Sequence, residues 1–198
     1  MAVVVNAGCG PLGGARLPAM FDSWTQLRVD FDPAVQPDVV ASITDLSAIP
    51  SNSADAVWSA HCIEHLYAHE VGRALTEVYR ILADDGFACI IVPDLQAIAN
   101  YIATDKLHEA VYTSSAGPVT AHDMMYGFGS AIAQGRVGMA HRCGFTPTLL
   151  IQRLQEAPFA EIVVRRRIAV LELAAVLQKN AAGWTPEKRA ALLDALQL

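Results

Sequence analysis

Short apolar runs alternate with helix-like stretches through the first half of the chain. Such runs predict buried strands, and their alternation with helical segments is typical of a parallel α/β sheet. Residues 63–83 repeat their apolar side chains at steps of three and four, which predicts one amphipathic helix that ends at Asp84, Asp85 and Gly86. Strands are predicted at residues 2–6, 26–29, 38–42, 55–59, 87–92, 161–168 and 171–177.

The pattern loosens after Pro93. Residues 95–103 still predict a helix, but residues 104–144 mix Gly, Ser, His, Tyr and Met without a clear period, and long irregular stretches are usually lids or binding loops. Thr146 and Pro147 then predict a helix start, and Thr185 predicts the cap of a last short helix. We expect one domain over residues 1–180, with the lid at about 104–144, and a helical tail over residues 181–198.

Composition and charge narrow the class of protein. Hydrophobic residues make up 53% of the 198 residues and charged residues 17%, which excludes a disordered protein. The surplus of apolar residues favours a well-covered core and is compatible with a homodimer interface. The apolar run at 87–92 is too short to span a membrane, and the first residues carry no signal-peptide pattern. A net charge of −6 disfavours nucleic-acid binding. Four dispersed cysteines without a CxxC pair predict reduced thiols in a cytoplasmic protein.

A glycine-rich loop follows the first predicted strand directly. Residues 8–13 match the pattern GxGxxG, and Asp30 ends the next strand 22 residues after Gly8. This arrangement suits an adenosine cofactor, because glycines let the backbone approach the ligand and the carboxylate binds ribose hydroxyls; dinucleotides and S-adenosylmethionine both fit. Pro11 removes a backbone donor that a pyrophosphate would use, and Pro18 makes residues 14–18 a poor helix start, so S-adenosylmethionine is favoured.

Five segments, taken in order, resemble one protein family. They are Asn-Ala-Gly-Cys-Gly at 6–10, Asp-Phe-Asp-Pro at 30–33, Thr-Asp-Leu at 44–46, Ala-Asp-Ala-Val-Trp at 54–58 with Ile-Glu-His-Leu at 63–66, and Tyr-Arg-Ile-Leu-Ala-Asp-Asp-Gly at 79–86. Together they resemble the class I S-adenosylmethionine-dependent methyltransferases over residues 2–94. The resemblance implies an α/β, Rossmann-like, doubly wound domain with a seven-stranded, mostly parallel sheet and a C-terminal β-hairpin.

The same resemblance implies S-adenosylmethionine as the cofactor and S-adenosylhomocysteine as its product. The glycine loop would hold the methionine part, Asp30 the ribose, and residues 43–45 would flank the adenine. The chain departs from the family at Asn6 and Ser42, where acidic residues are usual, and Asp45 is a candidate substitute for the second. The expected cofactor-binding residues are Asn6, Ala7, Gly8, Cys9, Gly10, Asp30, Phe31, Ile43, Thr44, Asp45, Ala60 and His65.

The acceptor site is expected beyond the carboxyl ends of the fourth and fifth strands, beneath the lid. Methyl transfer from a sulfonium is an in-line displacement, and a base is needed only when the acceptor loses a proton. His61, at a strand end, is the preferred base, although a role in lining the cofactor pocket is equally open. The lid adds side chains that could bind a substrate, Asp123 among them, but a polar network within the lid would also explain them. The candidate catalytic residues are His61, His122, Tyr126 and His141.

Other readings stay open. Residues 61–65 match the zinc pattern HxxEH, but we expect no metal site, because His61 lies on a strand end and not on a helix face with His65. An NAD-dependent oxidoreductase is the rival enzyme, and Pro11 argues against it. A non-catalytic, methyltransferase-like assembly subunit is encouraged by Asn6 and Ser42. The favoured hypothesis is a methyltransferase that acts on a small molecule.

Overall fold

The computed structural model describes residues 1–14, 17–114, 116–182 and 184–198. The predicted weak helix start after the glycine loop falls partly on residues 15 and 16, which lie outside the described residues. The described residues form nine strands: β1 (Val3–Ala7), β2 (Thr25–Asp30), β3 (Val39–Val40), β4 (Ala54–Ala60), β5 (Leu82–Pro93), β6 (Ala110–Ser114), β7 (Gly117–Thr120), β8 (Glu161–Arg167) and β9 (Glu172–Gln178).

Seven of these strands form one sheet in the order β3-β2-β1-β4-β5-β9-β8. The first five run parallel, while β9 is antiparallel to both β5 and β8. Strand β5 lies between β4 and β9, and residues 87–92 are buried throughout, as expected for an apolar strand in the middle of a sheet. The predicted seven-stranded, mostly parallel α/β sheet with a terminal β8–β9 hairpin is confirmed.

The helices are α1 (Val71–Ile81), α2 (Leu95–Ile102), α3 (Ala121–Tyr126), α4 (Gly129–Ala133), α5 (Pro147–Leu154) and α6 (Pro186–Ala195). The predicted caps are confirmed, since the side chains of Thr146 and Thr185 accept hydrogen bonds from Leu149 N and Lys188 N. Each of these two helices also has proline at its start.

The predicted helix over 63–83 is wrong in its first part. Ile63–His65 forms a single 3-10 turn, and the α-helix begins only at Val71. The reason is tertiary: the carbonyl of Glu64 accepts hydrogen bonds from Arg142 N at 2.9 Å and Cys143 N at 3.2 Å, and neither donor lies on this helix. The backbone after β4 is therefore tied to the distant segment that follows the lid helices.

The two faces of the sheet are covered differently. On one face, α1 and α5 pack their buried side chains on the strands, with Leu75 and Val78 from α1 and Leu150 and Leu154 from α5. On the other face, the described residues between β1 and β2 form no α-helix. Phe21, from a 3-10 turn at Ala19–Phe21, packs there with α6. The predicted tail supplies Leu192, Leu193 and Leu196 to this second apolar cluster.

The segment predicted as an irregular lid has regular structure. Strands β6 and β7 form an antiparallel hairpin, and α3 and α4 follow it. Ile98 of α2, Ala121 and Met124 of α3, and Leu171 form a small core of their own. Asp123 closes a capping box with Thr120, so its carboxylate orders the start of α3. Within the described ranges, no helix combines the length and apolar character needed to cross a membrane.

Candidate active site

The glycine loop turns tightly over the end of β2. Gly8 N and Cys9 N both donate to the carbonyl of Val29, at 2.9 and 3.1 Å. Gly8 has φ +76°, and a Cβ there would lie 2.7 Å from Cys62 Sγ, so both the backbone conformation and the available space call for glycine. The loop therefore keeps its backbone close to the carboxyl edge of the sheet.

Asp30 joins this loop to the end of β2. Its buried carboxylate accepts hydrogen bonds from Gly10 N at 2.9 Å and from Asp32 N at 3.0 Å. A carboxylate offers about four acceptor positions, so these two donors leave acceptor capacity for a ligand hydroxyl. Arg28 donates to the Gly10 carbonyl at 2.7 Å and fixes the same loop from the other side.

The predicted adenine-side segment lies in the loop after β3. Ile43 is buried in the core, and Thr44 Oγ1 lies 2.8 Å from Ser42 Oγ. The Asp45 side chain is exposed, and a hydrogen bond from Ser47 holds the pKa of its carboxyl below the ordinary value. Phe31 is 60% exposed, and a Cβ on Gly138 would lie 2.5 Å from its Cζ. The end of the lid therefore lies directly against the predicted cofactor side of the sheet.

His61 lies between two acids at the end of β4. Its Nε2 is 2.9 Å from Glu172 Oε1, and its Nδ1 is 3.3 Å from Glu64 Oε1. Glu172 also accepts a hydrogen bond from Arg167 at 2.6 Å. Because β9 runs antiparallel to β5, its first residue reaches the edge where the parallel strands end. The sheet topology thus brings Glu172 to His61 from 111 positions away.

This environment decides the charge of His61. Burial by itself would lower the pKa of the imidazole, but the contacts with Glu172 and Glu64 outweigh it and raise the pKa to about 10. An imidazolium has no lone pair with which to accept a proton. His61 cannot be a general base while it keeps this proton, so its assignment as the base stays a prediction.

A second polar group lies next to His61 and consists of Glu64, His65 and His141. Glu64 is 1% exposed, and in the described part of the chain neither of its carboxylate oxygens accepts a hydrogen bond. The two imidazole rings are 4.8 Å apart, and one potential ligand atom from each of the three residues lies within 4.8 Å of the others. Burial lowers the pKa of His141, which favours its neutral form. Glu64 and His141 also line a small cavity of about 10 Å³.

The other predicted catalytic residues have different surroundings. His122 stacks against His108 and lies 5.0 Å from Tyr126, whose side chain is exposed. The roles of Glu64 and Glu172 were missed from the sequence. The acid that opens the fully buried strand Glu172–Gln178 is a signal that could have found Glu172.

Comparisons with known proteins agree with this architecture. A family model described as a methyltransferase domain matches residues 5–90. Three solved structures share the fold. The first is a Thermotoga maritima protein described as a SAM-dependent methyltransferase, possible histamine N-methyltransferase. It is 13% identical, the match covers 91% of this chain and 83% of that chain, and the TM-score is 0.57. A Methanosarcina mazei SAM-dependent methyltransferase has 15% identity, 90% and 92% coverage, and TM-score 0.57.

The third is the Burkholderia thailandensis 1,6-didemethyltoxoflavin-N1-methyltransferase, solved with 1,6-didemethyltoxoflavin and S-adenosylhomocysteine bound. It has 20% identity, 90% and 71% coverage, and TM-score 0.53. No curated protein matches the chain in sequence. At these identities the structural likeness establishes the fold, and the family model independently marks residues 5–90. The predicted resemblance is confirmed in the fold and in the match of residues 5–90 to the methyltransferase-domain model, and both are consistent with a class I, Rossmann-like methyltransferase.

Proposed function

We propose that the protein transfers a methyl group from S-adenosylmethionine to a small-molecule acceptor. The observation that carries the proposal is Asp30, whose carboxylate holds the glycine loop through Gly10 N and keeps acceptor capacity for ribose hydroxyls. This site lies where β1 is flanked by β2 and β4, the point at which the strand order reverses. Ligands of open α/β sheets bind at such a point.

The chain's own residues contribute position and electrostatics. Bound S-adenosylmethionine supplies a methyl group on a sulfonium, and the electron pair of the broken carbon–sulfur bond leaves with S-adenosylhomocysteine. Glu64 and Glu172 place negative charge at the strand ends where the acceptor is expected. His141, whose neutral form is favoured by burial, is the candidate base at this edge, whereas a protonated His61 orients both acids.

A small-molecule acceptor is favoured by the lid and by the charge. Gly138 lies against Phe31, and the Ala140 carbonyl lies 3.2 Å from His65 Nδ1, so the lid is in contact with both sides of the site. A net charge of −6 disfavours a nucleic-acid substrate. The four free cysteines fit a reducing compartment such as the cytoplasm.

The rival cofactor is NAD. Pro11 offers no backbone N–H, and Gly14 N donates to the carbonyl of Pro11 and not to a ligand, so two potential pyrophosphate donors are missing from the loop. A sulfonium cofactor has no phosphate and does not need them. The loop therefore suits S-adenosylmethionine better.

A turnover assay tests the proposal. The purified protein is incubated with S-adenosylmethionine and a panel of hydroxyl, amine and thiol acceptors, and released S-adenosylhomocysteine is measured against a blank without acceptor. We expect release above the blank with at least one acceptor class and a product heavier by one methyl group. Tight S-adenosylmethionine binding without release for any class would instead support the non-catalytic, assembly-subunit function.

A further inference from the structure

We propose that Glu64, His65 and His141 bind one divalent transition-metal ion of the zinc type. The first two residues lie on the 3-10 turn after β4, and the third comes from the segment that follows the lid helices. Two imidazoles and one carboxylate form a ligand set that zinc uses in catalytic sites, where a fourth position stays open. This inference goes beyond the proposed methyl transfer and does not depend on it.

The spacing of the three side chains is close to what an ion needs. One potential ligand atom from each lies within 4.8 Å of the other two. A tetrahedral ion with ligands about 2.1 Å away separates its ligand atoms by roughly 3.4 Å. The side chains would therefore have to close by about 1.4 Å or less, which rotamer adjustment can supply.

Each histidine already has a second hydrogen bond of the kind that metal-binding histidines have. His65 Nδ1 lies 3.2 Å from the Ala140 carbonyl, and His141 Nδ1 lies 2.9 Å from the Met124 carbonyl. A carbonyl oxygen can only accept, so in the neutral form of each ring the proton lies on Nδ1 and Nε2 has the lone pair. Metal-binding histidines almost always have this second hydrogen bond, which fixes the tautomer and the ring orientation.

Glu64 supplies an independent indication that a cation belongs here. Its side chain is 1% exposed, and in the described part of the chain both of its oxygens lack a hydrogen bond. His61 lies 3.3 Å from Oε1 but also binds Glu172 at 2.9 Å, so its charge is shared between two acids. A buried carboxylate without full compensation is costly, and a bound cation would remove that cost.

The space beside Glu64 fits one ion and not a large ligand. A cavity of about 10 Å³ adjoins the group: Glu64, His141 and Cys143 line it together with apolar side chains such as Met124, and His65 lies outside its lining. Such a volume is near the minimum for one water molecule. The Cys143 thiol already points at the carbonyl of Ile63, at 3.4 Å, which leaves the histidines and Glu64 as the ligand set.

A bound ion would give this edge of the sheet a chemical role. The pKa of a hydroxyl falls when its oxygen binds a divalent cation, so an acceptor hydroxyl at the open position could lose its proton without a strong protein base. This last step rests on the proposed function, whereas metal binding itself does not. His61 would then be a positioning residue that holds Glu64.

Metal titration tests the site directly. The full-length protein is stripped with a chelator and titrated with Zn²⁺ by calorimetry and with Co²⁺ by visible absorption, which reports the coordination geometry. We expect one equivalent to bind with micromolar or tighter affinity, and Co²⁺ to give the intense bands of a four-coordinate site. His141→Ala and Glu64→Gln should each weaken binding at least tenfold, while His69→Ala, which changes an exposed histidine, should leave it unchanged.

The controls separate this proposal from the others. Retained S-adenosylhomocysteine binding by His141→Ala shows that the variant is folded and that the cofactor site is intact. Absence of stoichiometric binding to the wild type would overturn the proposal, as would binding that both site variants leave unchanged, because the buried group would then be a hydrated polar network. Neither result would bear on methyl transfer.

Discussion

Asp30 shows how one side chain can restrain a loop and still keep acceptor positions for the proposed ligand. Its carboxylate accepts from the backbone of the glycine loop at Gly10 and from Asp32, while Arg28 holds the Gly10 carbonyl. The spacing from Gly8 was enough to select Asp30 from the sequence. The hydrogen bonds that restrain the loop appear only in the structure.

Replacement of Asp30 by alanine should weaken S-adenosylhomocysteine binding at least tenfold. The change removes a charge-assisted ribose contact of about 1.5–3 kcal/mol and also releases Gly10 N. Calorimetric titration of a variant with unchanged circular dichroism measures the effect. Asp84→Asn, in an 83% exposed side chain, is the matched control and should bind like the wild type. Equal affinity of Asp30→Ala and wild type would remove Asp30 from the cofactor site.

The polar side chains at the strand ends show which properties of a single residue the sequence can predict and which it cannot. His61 was selected because it follows a strand, and it does lie at the carboxyl edge. Its partner Glu172 and the lid residue His141 are 111 and 80 positions away from it, and strand direction and the lid bring them near. No local sequence pattern predicts contacts between residues so far apart in the chain, so the charge of His61 could not be predicted.

At the scale of elements, α1 holds the loop predicted to flank the adenine through one ion pair. Glu77 accepts from Leu46 N at 2.8 Å and from Arg80 Nε at 2.8 Å. Arg80 in turn donates to the carbonyls of Leu46 and Ile49. The pair therefore joins the helix to a loop that lacks regular structure of its own.

Glu77→Gln should lower the free energy of unfolding by about 1–3 kcal/mol at neutral pH, since a charge-assisted contact is lost. The Arg80 guanidinium holds the folded-state pKa of Glu77 below its ordinary value of 4.5. Its stabilisation is therefore present above pH 4.5 and is lost as the pH falls through the folded pKa, so wild type and variant should converge in acid. Urea unfolding from pH 3 to 7 measures this, with the exposed Glu109→Gln as control. A difference that stays constant with pH would contradict the account.

The lid depends on a glycine at the end of α3. Gly127 has φ +99°, and a Cβ there would lie 2.0 Å from the Met139 carbonyl oxygen. Gly127 also pairs with Ala140, next to His141. A side chain at this position would push away the backbone of Met139 and Ala140, which lies next to His141.

Gly127→Ala should therefore lower the unfolding temperature more than Gly135→Ala does. Both positions have positive φ, which alone costs about 1–3 kcal/mol for a side chain, but Gly135 has open space around its Cβ position. Scanning calorimetry of the two variants isolates the clash. We also expect Gly127→Ala, but not Gly135→Ala, to lose the proposed binding of Zn²⁺ by Glu64, His65 and His141. Equal effects of the two substitutions would show that the lid contact is dispensable.

Local signals explain which elements could be predicted. The strands and the threonine-capped helices α5 and α6 were found because apolar runs, Thr caps and prolines act within a few residues. The start of α1 was missed because the Glu64 carbonyl binds the backbone of residues 142 and 143. The β6–β7 hairpin was missed because the lid sequence has no clear apolar alternation that would predict strands.

At the scale of the whole molecule, the sheet brings its chemistry to one edge. The glycine loop, Asp30, His61 and the first residue of β9 all lie where the parallel strands end, and the lid is in contact with this edge. The resemblance covered residues 2–94, which contain the proposed cofactor-binding residues. The proposed acceptor site also draws on the lid and β9, and only the structure shows their contacts with this edge.

The central claim is that this edge binds S-adenosylmethionine. The most direct measurement is calorimetric titration of the ligand-stripped protein with S-adenosylhomocysteine, with NAD as the comparison ligand. We predict one-to-one binding of S-adenosylhomocysteine with micromolar affinity and no heat from NAD. Binding of NAD, or of neither ligand by folded protein, would contradict the account.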